Sequence, residues 1–292
     1  MIDRIITAFQ RTAMVILVAF CCAYTPVLFA NETVLTIPAP NKTRSGTETV
    51  ELVATLFKPE GPGPFPLAIV SHGSPRGGDN ERKGQKRPVF RALSKALVDM
   101  GYVVLLPQRR GYGESGGHWA EGYGKCGAAR YHAAGLEGAS DLSAAIRHAR
   151  QQTFVRPDQV VLIGTSAGGF ASIAAGSMGL EGVRGIINVA GGRGSIRPGF
   201  VCSQETLVSS LSDYGKTSHV PSLWIYAKND RFFHPDLVQA MHTAYRQQGG
   251  KAELVMIPPV GEDGHSLMKD DNVPYILPHI QDFLHTINPV KP

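Results

Sequence analysis

Short, unbroken apolar runs alternate with amphipathic stretches along most of this chain. "PLAIVSHG", "YVVLLPQ", "VVLIG", "GIINVAGG", "SLWIYAK" and "AELVMIP" are rich in β-branched residues and bounded by glycine, proline or polar residues. That pattern predicts strands buried on both faces. Between them, apolar positions recur three and four residues apart. Phe90, Leu93, Leu97 and Met100 follow Pro88, and Leu136, Ala139, Leu142, Ile146 and Ala149 form a second set. Phe170, Ile173 and Ala174 come next, then Leu237, Met241 and Tyr245, a helix ending at Gly249-Gly250. Ile280, Phe283, Leu284 and Ile287, after Pro278, predict the final helix. Upstream, "TVLTIP" and "TVELVATLF" flank a turn and predict an N-terminal antiparallel hairpin. The expected class is α/β, a mostly parallel doubly wound sheet with helices on both faces. Ligands bind such sheets beyond the carboxyl ends of the strands. The positions to examine are therefore His72 to Ser74, Arg110 to Ser115, Ser166, Gly191 onward, Asp230 and His265.

The chain has 292 residues, 43% hydrophobic and 18% charged, enough for a substantial core. No linker, repeat or low-complexity tract divides it. The first thirty residues stand apart: Arg4 and Arg11 precede "AMVILVAFCCAYTPVLFA". A basic start, an apolar middle and a small residue before a polar start predict a signal peptide over 1–30 and an exported protein, periplasmic or secreted. Residues 31–292 then form one domain. Phe20 stands where a lipoprotein signal before Cys21 and Cys22 needs a small residue; the alternative is a retained membrane anchor, against which Pro26 cuts the apolar span to a marginal length. No stable membrane association is expected once the signal is removed. The net charge is +5. Arg76, Arg82, Lys83, Lys86, Arg87 and Arg91 form a local basic stretch, which reads as a solvated face or as an attractor of an acidic substrate or membrane surface. Nothing in the charge pattern points to nucleic acid. No metal-binding spacing is present, so neither a metal nor a cofactor is expected.

Two glycine turns compete for the chemistry. "GYGESG" (Gly111 to Gly116) spells a dinucleotide-binding fingerprint, but it leads into the loop-like "GHWAEGYGKCG" rather than a helix. The next strand also ends without the acidic residue that would hold a ribose. "VVLIGTSAGGF" instead joins a clear strand to a clear helix through Ser166. So tight a turn strains the serine backbone, and Gly164 and Gly168 remove side chains that would collide. The Ser166 hydroxyl is then lifted above the sheet at a helix N-terminus, where developing negative charge is favoured.

With "GTSAG" in place, "SHGS" after an early strand and "RRGYGESGG" after the next, the chain from about Leu52 onward resembles the α/β-hydrolases. The likeness is greatest to their dienelactone-hydrolase-like and prolyl-peptidase-like branches. Dienelactone hydrolases proper carry a cysteine where this chain has Ser166. The resemblance implies a triad in the order Ser, acid, His. It assigns Ser166 as nucleophile, His265 in "PPVGEDGHSL" as base and Asp230 in "WIYAKNDRFF" as the acid orienting His265. Asp236 competes, but "HPD" reads better as a helix start; Asp263 lies too close to His265 in sequence. The resemblance also implies an oxyanion hole from the amides of Ser74 and Ala167; His72 beside it reads better as a hydrogen-bonding brace of the loop than as a base.

Loops at about 116–135 and 191–220 leave the carboxyl side of strands and are expected to roof the pocket. Each carries one of the two cysteines beyond the signal, predicting a Cys126–Cys202 disulfide. Tyr112 reads either as a pocket group or as a packed turn residue. His118, Trp119, Tyr123, Phe200 and Tyr214 are further candidate substrate contacts. The function expected is a serine hydrolase cleaving a small carboxylic ester through an acyl-enzyme. The alternatives are a prolyl- or aminopeptidase-like enzyme acting on a peptide, although the chain lacks a propeller-sized N-terminal region, and an inactive binding protein on the same scaffold.

Overall fold

The computed structural model describes residues 32–288, and the signal-peptide expectation for 1–30 lies outside them. The chain opens with a hairpin, β1 (Thr33–Thr43) and β2 (Gly46–Phe57), paired antiparallel along their full length. The six apolar runs become β3 (Phe65–Ser71), β4 (Val103–Pro107), β5 (Val155–Thr165), β6 (Val183–Val189), β9 (Ser222–Ala227) and β10 (Ala252–Ile257). One eight-stranded sheet results, in the order β1-β2-β4-β3-β5-β6-β9-β10. The hairpin joins it antiparallel through β2 and β4, and β4, β3, β5, β6, β9 and β10 run parallel to one another. This is the mixed, mostly parallel sheet expected from the pattern.

Helices cover both faces. Beneath one lie α3 (Tyr131–Arg150), α4 (Ala167–Gly176), α5 (Gln204–Gly215) and α6 (Pro235–Gln247), packed through residues such as Leu142, Phe170, Tyr214 and Tyr245. Against the other, after the single-turn α1 (Asp79–Lys83), lie α2 (Arg91–Asp99) and α7 (Val273–Ile287), through Leu93, Leu97, Ile276, Ile280 and Leu284. Strand residues such as Val161, Leu162 and Ile163 alternate between these two cores and are fully buried, which is why their sequence shows no polar alternation.

Three boundaries differ from the sequence pattern. The helix predicted from Pro88 starts only at Arg91, because Phe90 adopts a left-handed conformation (φ 37°) and the Asp270 carboxylate accepts the Ala92 amide. The last helix starts before Pro278: Pro274 occupies its first turn and Pro278 lies inside it. A proline there removes one helix hydrogen bond, yet Val273, Ile276, Ile280 and Leu284 keep the segment seated on the sheet. The stretch 191–220 is no single irregular loop. It holds a small hairpin, β7 (Ser195–Arg197) with β8 (Phe200–Val201), followed by α5, whose Leu207, Leu211 and Tyr214 face the core.

Candidate active site

Ser166 sits between β5 and α4 with φ 54° and ψ −123°, a conformation that costs a non-glycine residue energy. Its neighbours explain how the turn closes. A Cβ on Gly164 would sit 2.3 Å from the Gly168 carbonyl oxygen, and one on Gly168 would sit 2.4 Å from the Ser71 carbonyl oxygen. Only hydrogen fits at either place. Gly73 approaches from the loop after β3, where a Cβ would lie 3.2 Å from the Ser166 Cβ. The loop carrying Ser74 is thereby laid beside the nucleophile.

His265 arrives on a short 3-10 turn (Gly264–Ser266) after β10, and Asp230 on the turn after β9. The His265 Nε2 lies 3.1 Å from the Ser166 Oγ, and its Nδ1 lies 3.0 and 3.2 Å from the two Asp230 carboxylate oxygens. Asp230 is 1% exposed, and its Oδ1 also accepts the amides of Phe232 and Phe233 at 2.8 and 3.0 Å. These donors fix the carboxylate orientation. The ring of Phe232 stands edge-on to His265 at 4.6 Å. Asp263 accepts the His265 amide through its side chain and so holds the turn, while Asp236 lies in the first turn of α6.

The loop after β3 is braced from behind. The Arg109 amide donates to the His72 Nε2 at 3.1 Å, leaving the Nδ1 proton for the Gly73 carbonyl at 2.7 Å. Burial and the nearby Arg109 charge pull the His72 imidazole down to about 3, so it stays neutral. Arg109 donates to the Ser71 hydroxyl (2.8 Å) and the His72 carbonyl (2.6 Å) and is ion-paired with Glu121. Glu121 also accepts from Arg193 at 2.9 Å. Burial alone would raise the Glu121 pKa, but Arg109 and Arg193 outweigh it and hold the carboxyl at about 2. Arg110 pairs with Asp141 and Glu137 in the same way.

Over Ser166 lies a cavity of about 320 Å³. Ser74, Arg76, Arg82, Trp119, Tyr123, Ser166, Ala167, Arg193, Phe232 and His265 are among its lining residues. Trp119 and Tyr123 therefore face it, but Tyr112 does not. Tyr112 is fully buried, with its hydroxyl 3.0 Å from the Ser74 Oγ and receiving the Trp119 indole N–H at 3.1 Å, so it supports the wall rather than forming it. Tyr214 is buried in α5 and donates to the His132 carbonyl. Phe200 and His118 lie outside the lining. A wider recess of about 890 Å³ between β10 and α7 lies at the opposite end of the strands, away from Ser166. Cys126 and Cys202 are disulfide-bonded, with Cα atoms 5.2 Å apart. The bond ties the loop carrying Trp119 and Glu121 to the end of the β7–β8 hairpin. Among the described residues no cluster of His, Cys, Asp or Glu is arranged to hold a metal ion.

Sequence reasoning missed Glu121 and Arg193. Both are isolated charges in glycine-rich loops, with no period or motif to mark them. The paired Arg109-Arg110 was the one available hint, since two adjacent buried arginines require carboxylate partners.

A parallel sheet with a hairpin edge, a serine elbow after its central strand and an Asp–His pair from later loops define the α/β-hydrolase class. The model of the prolyl oligopeptidase family matches residues 88–191. Among solved structures, the Porphyromonas gingivalis dipeptidyl peptidase 4 superposes with a TM-score of 0.63 at 18% identity, over 89% of this chain and 36% of that one. The chain thus spans about a third of the length of that relative. An esterase from Pyrococcus furiosus gives 0.57 at 17% identity, covering 87% and 93% of the two chains. Est1E from Butyrivibrio proteoclasticus, solved with ferulic acid bound, gives 0.57 at 18%, covering 82% and 96%. No curated protein matches the chain in a sequence search. The chain is an α/β-hydrolase in fold, and the family match across its serine elbow supports a serine hydrolase.

Proposed function

We propose that the protein is an exported serine hydrolase that cleaves small carboxylic esters through an acyl-enzyme, with residues 31–292 acting as one catalytic domain. The observation that carries the reading is the continuous hydrogen-bond chain from buried Asp230 through His265 to Ser166. In this reading the His265 Nε2 takes the Ser166 proton as Oγ attacks the ester carbonyl. The Asp230 carboxylate accepts the Nδ1 proton, fixes the tautomer and stabilises the imidazolium. The amides of Ser74 and Ala167 receive the oxyanion, aided by the N-terminus of α4. His265 then returns the proton to the leaving alcohol, and a water repeats the sequence to release the acid. Of the two segments expected to roof the pocket, Trp119 and Tyr123 of the first and Gly192 to Ile196 of the second line it, whereas α5 belongs to the core, and both segments are under the restraint of the disulfide. Such a bond suits an oxidising compartment. Among the described residues no helix is long and apolar enough to cross a membrane.

The family match favours a second reading, a prolyl- or aminopeptidase-like enzyme acting on a peptide. The charge of the cavity speaks for the ester. A free amino terminus would meet Arg76, Arg82 and Arg193, while the one carboxylate in the lining, Asp263, already accepts the amides of Arg231 and His265. The test is a panel of p-nitrophenyl esters beside aminoacyl-nitroanilides, with Ser166→Ala as control. Ester turnover lost in the variant supports the proposal, and anilide turnover supports the peptidase. A folded wild-type protein that neither turns over substrate nor reacts with a fluorophosphonate would support an inactive binding protein on this scaffold.

A further inference from the structure

The fold divides the basic stretch of 76–91. Arg87 and Arg91 turn outward and pair with Glu32 at 2.7 and 3.1 Å. Arg76 and Arg82 turn into the cavity above Ser166. Arg82 lies over the Trp119 ring at 3.6 Å and is paired with Asp79. Arg76 lies over the Phe232 ring at 4.3 Å and makes no hydrogen bond or ion pair among the described residues. Deeper in, Arg193 and Arg109 share the single carboxylate of Glu121. The carboxylate of Asp263 is held by two backbone amides. The cavity therefore carries a surplus of positive charge; Arg193 is anchored on Glu121 with only its Nε unpaired, whereas the whole Arg76 guanidinium is left to meet a ligand.

We propose that Arg76 recognises an ionised carboxylate on the alcohol half of the substrate. The inference rests on the serine-hydrolase reading and follows from direction. His265 must deliver its proton to the departing oxygen, so the leaving group lies on the His265 side of Ser166. Arg76 shares that side, because the Phe232 ring touches both Arg76, at 4.3 Å, and the His265 imidazole, at 4.6 Å. A planar guanidinium with its donors unpaired matches a carboxylate fork, and the ring beneath it restricts its motion before binding. The substrate class is an ester of a hydroxy acid whose carboxylate stands a short spacer from the scissile oxygen.

The test compares para-butyryloxybenzoate with the uncharged para-butyryloxybenzamide on the full protein. The expected kcat/KM ratio favours the benzoate by about tenfold or more, the effect of one charged hydrogen bond. That ratio falls towards one in Arg76→Gln, is partly kept in Arg76→Lys, and shrinks as salt is added. Equal rates on the two esters in the wild type, with turnover lost in Ser166→Ala, overturn this inference and leave the hydrolase reading standing. So does a preference that survives in Arg76→Gln. A charge preference seen only between p-nitrophenyl hemiglutarate and p-nitrophenyl butyrate would move the anion to the acyl half and overturn the assignment. No turnover of any ester, together with no fluorophosphonate adduct, removes the reading and this inference with it.

Discussion

Adding one methyl group at Gly168 probes the elbow directly. In Gly168→Ala the new Cβ would meet the carbonyl oxygens of Ser71 and His72 at 2.4 and 2.5 Å, whereas ordinary contact begins near 3.4 Å. Both obstacles are backbone atoms, so no rotamer change relieves the clash. The loop after β3 and the start of α4 must separate by about 1 Å. These are the two segments whose amides, at Ser74 and Ala167, are proposed to hold the oxyanion. A displacement of about 1 Å in such a constellation lowers rate about a hundredfold, and overpacking costs about 1–3 kcal/mol of stability. At this size each kcal/mol moves Tm by about 2–4 °C. The assay is kcat on p-nitrophenyl acetate beside a thermal melt. Expected are a fall in kcat near two orders of magnitude, a Tm lower by several degrees, and a triad still able to react with a fluorophosphonate. Wild-type kcat together with a wild-type melt would refute the claim that glycine is required here for contact between the two segments.

Asp230→Asn should lower kcat by about ten-thousandfold with little effect on folding, since the amide favours the wrong His265 tautomer; the pH-rate profile and a melt check it. Glu121→Gln should destabilise the fold, because it leaves the Arg109 and Arg193 charges buried against a neutral partner. Folding lowers the Glu121 pKa from 4.5 to about 2, so its stabilisation is complete above the unfolded value and is lost as pH falls between those limits. Acid titration of the variant should accordingly show a flatter loss of stability from about pH 4.5 to 2 than the wild type. Reducing the Cys126–Cys202 bond, which closes a loop with a sequence separation of 76, should lower stability by about 4 kcal/mol, read as a Tm difference with and without dithiothreitol.

The sheet was legible because buried parallel strands leave short unbroken apolar runs, here rich in β-branched residues and bounded by glycine, proline or polar residues. Ser166 stood out because its turn admits only glycine at two fixed neighbours, a demand written locally in the chain. Asp230 and His265 could be selected because chain order places them after particular strands. What lay hidden depends on contacts distant in sequence. Glu121 is defined by Arg109 and Arg193, and neither spacing has a period. Tyr112 and Tyr214, which from their loops look suited to touching a ligand, are buried behind the wall, since an aromatic beside glycines can turn either way. The α5 helix was overlooked although Leu207, Leu211 and Tyr214 follow helical spacing, because the serine-rich polar residues between them resemble a loop. Pro278 misplaced the start of α7, where packing against the sheet outweighs one lost hydrogen bond.

The central claim is that Ser166 becomes covalently acylated. It is tested most directly by mass spectrometry of protein quenched in acid during turnover of a p-nitrophenyl ester, followed by peptide mapping. The account predicts one acyl group per chain, located on Ser166, and none in Ser166→Ala. An acyl group mapped to another residue, or steady ester turnover that persists in the folded Ser166→Ala protein, would contradict it.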